Sequence, residues 1–471
     1  MRRAREGARD DDDARGAEET WREFERRGDE SCARGRDVEA SEAYARATRD
    51  AECDARVFLK RARVASKSAL ARERRSIEAI LDVGFRRAIR AARRVIGSDD
   101  VNAIGGERTV RAIGGRLALA YARDGRENEA RKVLTFLGYT YALSFKALRA
   151  TEEEEDEGKD EGERERVPRG LMHAYDGCVN EATMERLREA FGVDSAFWRE
   201  HAYDDPRTGF FSYVHALDRV DEESKSNVVC AAIARARDVA SREFPAVAKV
   251  AKYAEWWAHA RSPVEGHQMH FDSHDEGAGA RERVTHPICS AIVFIDGARG
   301  GPTLMTNQKD GDQKLGDKCY LLWPRSNRVA VFDGNYLHGV IPGRSDVGDD
   351  IEADCKRRRI TLMVAFWPDM TTHPTSFPHG CARPFPAKSA TYPLGKTWPN
   401  LFYHSDDDSS ACIGANEDEE LEIFAQPFAP WEKIKIPRDV DVDAESESES
   451  ESESESASDS MPAYDACFQG F

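Results

Sequence analysis

Gln268-Met-His270-Phe-Asp272 and, further along, Arg359-Ile-Thr361-Leu-Met-Val-Ala-Phe-Trp367 decide how this chain folds. Residues two apart on a strand point the same way. In the second stretch Arg359, Thr361, Met363 and Ala365 therefore share one face, and Ile360, Leu362, Val364 and Phe366 share the other. In the first stretch His270 and Asp272 fall on one face. Read outward from these two, the sequence predicts strands over 268–274, 288–295, 320–323, 328–332 and 359–367, separated by Gly, Pro and Asp turns.

Upstream the pattern is helical. From Trp21 to Ala150 the chain is rich in Ala, Arg, Leu and Glu and poor in Pro. Asn180 caps a predicted helix carrying Met184, Leu187 and Phe191 and stopped by Gly192. A second helix is predicted over 227–242, before Pro245. Helices followed by many short strands give an α+β class: an N-terminal helical region, then a jelly-roll sandwich with helices packed on one side.

Composition sets the domain boundaries. The chain has 471 residues, enough for two or three domains. Residues 1–20 are charged and low in apolar content, and disorder is expected there. The helical domain is expected over 21–150 and an acidic linker over 151–169. The strand-rich domain, with a proline- and aromatic-rich wrap, is expected over 170–437. The Ser/Glu low-complexity run gives a disordered tail over 438–471, with the composition of a kinase substrate.

The net charge of −18 disfavours a general nucleic-acid binder. The charge is uneven, however. Arg56 to Arg94 holds thirteen Lys and Arg against three Asp and Glu, which reads as solvated helix faces or as a docking surface for an acidic segment. Ten cysteines without CxxC pairs suit reduced thiols in an intracellular protein. The basic start runs into Asp10–Asp13 and not into an apolar core, so no signal peptide is expected, and no apolar run spans a bilayer. A cytoplasmic or nuclear protein is the expectation.

Two imidazoles and one carboxylate leave one face of a metal open, the ligand set of non-haem Fe(II) oxygenases. His270, Asp272 and His338 are the candidate ligands. Arg359, with Thr361 beside it, can hold a carboxylate through a bidentate guanidinium fork and one hydroxyl bond. Arg358 faces the other way by parity, and Arg357 lies nearer the preceding loop. His267, His274 and His286 read as polar neighbours of the site, and His373 and His379 have no partner spacing. Trp256-Trp257 and Phe210-Phe211-Ser212-Tyr213 read as core, with Tyr213 as an alternative pocket residue.

The stretch from about Leu171 to Pro368 resembles the 2-oxoglutarate and Fe(II)-dependent dioxygenase superfamily, in its prolyl-4-hydroxylase-like branch. The resemblance rests on His270-Phe-Asp272, Gly300-Gly-Pro-Thr303, Leu337-His-Gly-Val-Ile-Pro-Gly343 and Arg359-Ile-Thr361, in that order. It implies a double-stranded β-helix. His270, Asp272 and His338 would bind Fe(II), and Arg359 would bind 2-oxoglutarate. O2 is the co-reactant and ascorbate an optional reductant. The reaction implied is hydroxylation of a C–H bond, with prolyl hydroxylation of a peptide or protein the leading form. Two departures stand out: many prolyl hydroxylases use a lysine where Arg359 stands, and a charged loop over 344–358 lengthens the interval after His338.

The helical region carries a second resemblance. Gly28, Ala40, Tyr44 and Ala47 match the small and large positions of a tetratricopeptide repeat of ~34 residues. Leu117, Ala118, Tyr121, Ala130 and Leu134, with Gly125 at the turn, form a weaker match, and Phe58 to Ile89 could hold a repeat between them. A plain helical bundle with alanine at its contacts is the alternative. Such repeats bind proteins, so a peptide or protein partner is expected through this region. Where repeat domains of co-chaperones use Lys and Asn to clamp a C-terminal carboxylate, this chain has Glu25 and Asp29. Two rival readings remain: a scaffold with an inactive barrel, and a nucleic-acid demethylase of the same superfamily. The second is opposed by the acidic charge and by the lack of another arginine on the Arg359 strand.

Overall fold

The computed structural model describes residues 20–34, 36–49, 53–67, 77–95, 101–152, 165–201, 211–224, 227–263, 265–273, 284–297, 300–343, 358–370, 382–384, 418–434 and 467–469. The expected disordered N-terminus, most of the acidic linker and the Ser/Glu run lie outside them. Two compact units emerge, Met1–Ile113 and Gly114–Phe471. Among the described residues no helix is long and apolar enough to cross a membrane.

The first unit is helical: α1 (Trp21–Ala33), α2 (Asp37–Ala47), α3 (Ala55–Lys67) and α4 (Ile77–Val95). The division from the second unit falls within α5 (Val101–Arg123). At the start of α1 the Thr20 backbone N–H donates to Glu23 Oε2 at 2.8 Å, half of a capping box. Helices α1 and α2 interlock at one point. A Cβ on Gly28 would lie 2.4 Å from the Tyr44 ring, and fully buried Ala40 and Ala47 flank that tyrosine. Helices α3 and α4 meet in a similar way, but with the sides exchanged. Here the ring, Phe58, is on the leading helix and Gly84 follows, where a Cβ would lie 2.5 Å from Phe58 Cβ. The acidic pair Glu25 and Asp29 binds Lys60 from α3, each at 2.8 Å.

The second unit continues with α6 (Glu127–Phe136), β1 (Tyr141–Leu143), α7 (Phe145–Arg149), β2 (Met172–Asp176), α8 (Glu181–Phe191), α9 (Ala196–His201), β3 (Ser212–Ala216), α10 (Leu217–Glu223), α11 (Val228–Glu243) and α12 (Pro245–Val250). Strands follow: β4 (Tyr253–Arg261), β5 (His267–His270), β6 (Cys289–Asp296), β7 (Thr303–Lys309), β8 (Cys319–Leu322), β9 (Arg328–Phe332), β10 (Tyr336–Val340) and β11 (Arg359–Trp367). Four short strands complete the chain: β12 (Ala382–Pro384), β13 (Glu419–Leu421), β14 (Trp431–Lys433) and β15 (Cys467–Phe468).

The major sheet has eight strands in the order β12-β3-β4-β11-β6-β9-β2-β13, and the minor sheet has four, β5-β10-β7-β8. Of strands β4 to β11, β4, β6, β9 and β11 lie in the major sheet and β5, β7, β8 and β10 in the minor one, which is a jelly-roll sandwich with helices, an α+β architecture. One face of the major sheet carries Val293, Val331, Leu362 and Val364 and packs on α8 and α11. Its other face carries Met172, Ile292, Phe294 and Phe332 and meets Met305, Tyr320 and Leu322 of the minor sheet. The outer face of the minor sheet, with Leu304, Leu321 and Leu337, packs on Ala118, Leu134, Phe145 and Leu148.

That last contact explains a difference from the sequence boundary at residue 150. Residues 114–150 are helical in composition, but their apolar side chains cover the minor sheet. The hairpin turning at Gly125, whose φ is 78°, belongs with the strand-rich unit. Strand β15, from the far end of the low-complexity region, pairs with β1.

Asn180 and Asn227 cap α8 and α11 as their sequences imply: the Asn180 side chain accepts from Thr183 N at 2.8 Å, and Asn227 from Val229 N at 2.9 Å. The second helix ends at Glu243, just before Pro245 as expected, and Pro245 then opens α12.

Candidate metal centre

Strands β5 and β10 are neighbours in the minor sheet, and His270 and His338 are direct register partners. Each imidazole is fixed in the same way. His270 Nδ1 lies 2.8 Å from the Gln268 carbonyl oxygen, and His338 Nδ1 lies 2.8 Å from that of Tyr336. A carbonyl only accepts, so both rings carry the proton on Nδ1 and offer the Nε2 lone pair.

Asp272 arrives differently from the sequence reading. Strand β5 ends at His270, so strand parity does not place the carboxylate. Its backbone N–H donates to the Gly334 carbonyl at 3.0 Å, tying it to the turn between β9 and β10. Ser290 Oγ on β6 donates to Asp272 Oδ2 at 2.6 Å. Oδ1 then lies 3.5 Å from His270 Nε2 and 3.6 Å from His338 Nε2. His286 braces the other side, with Nδ1 2.7 Å from the Asp272 carbonyl oxygen and Nε2 3.2 Å from Asp310. Both of its ring nitrogens are thereby engaged.

The donor set fits a divalent cation. One atom from each of His270, Asp272 and His338 lies within 4.8 Å of the others. Among the described residues His338 Nε2 is buried and has no hydrogen-bond partner, which a bound cation would satisfy. Burial pushes the Asp272 carboxyl up, but the His338 and His270 imidazoles outweigh it and hold the group well below the usual carboxylate range. Burial opposes charge on His270, and the Asp272 carboxylate outweighs that too, so its pKa is raised. Two imidazoles and one carboxylate on one side of a cation suit Fe(II). The His270 side chain, one-third exposed, marks the open side.

Arg359 opens β11, and its inward parity is visible in the packing. Ile360, Leu362 and Val364 join the helix-side core, whereas Met363 packs between the sheets. Arg359 and Thr361 share the Met363 face and are each 6 % exposed. Arg359 Nη1 donates to the Gly301 carbonyl at 3.0 Å, and among the described residues it has no ion pair. Burial, with Arg261 beside it, lowers its pKa to about 10. Arg358 is half-buried, and Arg357, His274, His373 and His379 lie outside the described residues.

Three further side chains lie here that the sequence reading undervalued. On β4, Arg261 is the register partner of Arg359, and His259 is that of Thr361. The His259 and His267 ring centres are 5.5 Å apart, and those of His267 and His270 are 4.7 Å apart. A run of imidazoles thus joins the Thr361 strand to the candidate metal ligands. Burial, with Arg261 next, keeps His259 and His267 neutral by lowering both pKa values. The alternation His259-Ala-Arg261 was the available signal, but its pairing with β11 is a long-range register. Tyr213 lies elsewhere: it is fully buried on the helix side, 4.8 Å from the Trp256 ring.

No protein-family model matches the chain, and no curated protein matches it. Solved structures similar to it include a prolyl-4-hydroxylase from Pseudomonas putida (15% identity, 42% of this chain and 93% of that chain, TM-score 0.26). AviO1 from Streptomyces viridochromogenes Tue57 is another (14% identity, 45% and 95%, TM-score 0.27). HygX from Streptomyces hygroscopicus, with nickel and 2-oxoglutarate bound, is a third (14% identity, 43% and 84%, TM-score 0.25). Each covers less than half of this chain.

Proposed function

We propose that this protein is an Fe(II)- and 2-oxoglutarate-dependent oxygenase that hydroxylates a C–H bond of a peptide or protein, with proline as the leading target. One observation carries the reading. A two-histidine, one-carboxylate cluster with an open side and a buried arginine without an ion pair, among the described residues, face the same inter-sheet interior.

Bound with O2, Fe(II) at such a site supplies oxidative decarboxylation of 2-oxoglutarate to succinate and CO2, coupled to insertion of one oxygen atom into C–H. This chain's residues supply the rest. His270, Asp272 and His338 hold the cation, with Ser290 and the two backbone carbonyls fixing the ligands. Arg359 pairs with the distal carboxylate of 2-oxoglutarate through charge-assisted bonds, and Thr361 adds a hydroxyl. Phe332, whose ring centre is 4.8 Å from that of His338, covers the ligand on the sandwich side.

The N-terminal helices are the proposed route to a protein partner, since paired helices of this kind form protein-binding surfaces. Succinate production from 2-oxoglutarate by the full chain with Fe(II) tests the chemistry. His270→Ala and Asp272→Ala should each abolish it, and turnover unchanged in either would remove the triad assignment. A wild-type chain that neither binds Fe(II) nor consumes 2-oxoglutarate would favour the inactive scaffold. Affinity capture with the full chain, followed by mass spectrometry for an added oxygen, tests the substrate class.

A further inference from the structure

Behind the major sheet, on the face away from the candidate iron ligands, three donors from three elements converge. His215 on β3, Glu223 at the end of α10 and Cys230 in the first turn of α11 bring one ligand atom each within 4.8 Å of the others. Cys230 Sγ lies 3.5 Å from His215 Nε2. Glu223 Oε2 lies 4.0 Å from each of them. The cysteine is fully buried, His215 is 2 % exposed, and only the Glu223 side chain reaches solvent.

From this geometry we propose a second metal site, for Zn2+ or a cation of similar softness, held by His215, Glu223 and Cys230 with a water as the fourth ligand. Zinc binds sulfur at about 2.3 Å and nitrogen or oxygen at about 2.0–2.2 Å, so tetrahedral donors stand roughly 3.3–3.6 Å apart. The sulfur–nitrogen pair already has that spacing. The carboxylate closes the remaining gap by a small rotation of a side chain at the end of its helix.

The surroundings hold the three donors in place. Asn227 Oδ1 accepts from the Val229 and Cys230 backbone N–H groups, at 2.9 and 3.3 Å, and so fixes the turn that carries the thiol. Arg219 Nη2 donates to Glu223 Oε1 at 2.7 Å, leaving Oε2 as the oxygen that faces the sulfur and the imidazole. Such outer partners orient ligands and hold their charge. Val220, Val228, Val229 and Tyr213 belong to the same apolar cluster as Cys230. A cysteine, an imidazole and a carboxylate collected in an apolar layer are accounted for together if they bind one cation.

The donor set separates this site from the front one. Sulfur, nitrogen and oxygen ligands suit zinc, whereas the front triad has no sulfur. Binding replaces the Cys230 S–H bond with an S–metal bond, and the proton leaves to solvent. The cation then pins α10 and α11 to β3, and its effect is on stability and not on turnover.

Cobalt(II) added to the full chain tests this, because thiolate-to-cobalt charge transfer absorbs in the near ultraviolet and His/Asp ligation does not. The full chain should show that band, Asp272→Ala should keep it, and Cys230→Ser should lose it. Zinc should displace the band and raise the thermal midpoint of the wild type but not of Cys230→Ser. Arg219→Ala should weaken cobalt binding about tenfold. No thiolate band in the wild type, or the same band in Cys230→Ser, would overturn the site and leave a buried S–H···N contact. Should Cys230→Ser fail to fold, Glu223→Gln, at a partly exposed position, decides: unchanged cobalt affinity overturns the proposal, and a loss of about tenfold or more supports it.

Discussion

Ser290 donates to Asp272 Oδ2 at 2.6 Å, so that only Oδ1 is turned towards the two histidines. One hydroxyl on β6 thereby decides which carboxylate oxygen can ligate. Ser290→Ala should leave the fold intact but weaken Fe(II) binding about 10–100-fold, the usual cost of losing a partner of this kind. The iron concentration needed for half-maximal succinate formation measures it. An unchanged requirement would mean that the Gly334 and His286 contacts orient Asp272 without help.

Arg359 is a buried cation that donates to the Gly301 backbone carbonyl. Arg359→Met keeps the stem and removes the charge. The 2-oxoglutarate requirement should rise at least about tenfold, since a charge-assisted bond contributes about 1.5–3 kcal/mol. Removing a buried charge that has no ion pair among the described residues offsets the lost bond to Gly301, so stability without 2-oxoglutarate should change little. Thr361→Val should have a smaller effect, about 0.5–1.5 kcal/mol. Thermal shift with and without 2-oxoglutarate separates binding from folding. A stabilisation by 2-oxoglutarate in Arg359→Met equal to that of the wild type would move the anion to another cation, with Arg261 first in line.

Gly301 is the point where the turn before β7 touches the segment after β10. A Cβ there would lie 1.8 Å from the Ile341 carbonyl oxygen and 2.9 Å from Gly343 N. Both are backbone atoms and cannot swing away. Gly301→Ala should therefore shift the turn, with a cost of about 1–3 kcal/mol or more, and carry the Gly301 carbonyl away from Arg359. Lower stability together with a raised 2-oxoglutarate requirement is the expected pair of results. A raised requirement without loss of stability would mean that the turn adapts freely.

The sequence made some of this legible, and the reasons differ by residue. Arg359-Ile-Thr361 read correctly as a strand with an inward arginine because alternation is local. The predicted strand over 328–332 matches β9, but no strand is predicted at His338, where Asp333-Gly-Asn335 turns the chain and starts β10 in the other sheet. Asp272 was placed by strand parity, whereas a long-range bond to Gly334 sets it. Strand β4 went unread. Its nine residues follow two helices, and its partners β3 and β11 are distant in sequence. The loss of β4 hid Arg261 and His259. Residues 114–150 read as part of a helical domain because composition reports helix, not what the helix covers.

At one end of the major sheet, Asp176 on β2 and Arg328 on β9 are register partners. Arg328 Nε donates to Oδ1 at 2.6 Å and Nη2 to Oδ2 at 2.9 Å. The arginine side chain is 4 % exposed and the aspartate 21 %. Burial pushes the carboxyl up, but Arg328, and then Arg325, outweigh it and hold the pKa below its ordinary 3.8. A depressed folded-state pKa means that folding favours the carboxylate, so the contribution is complete above the unfolded value. It is lost as pH falls from about 4 through the lower folded value. Asp176→Asn should cost about 2–3 kcal/mol at neutral pH, as a bidentate bond to a charged group does. The difference in thermal midpoint between wild type and variant should stay constant from neutral pH down to about pH 5 and shrink below pH 4. A difference that persisted undiminished in acid would mean that the pair acts through packing and hydrogen-bond shape, with the charge contributing little.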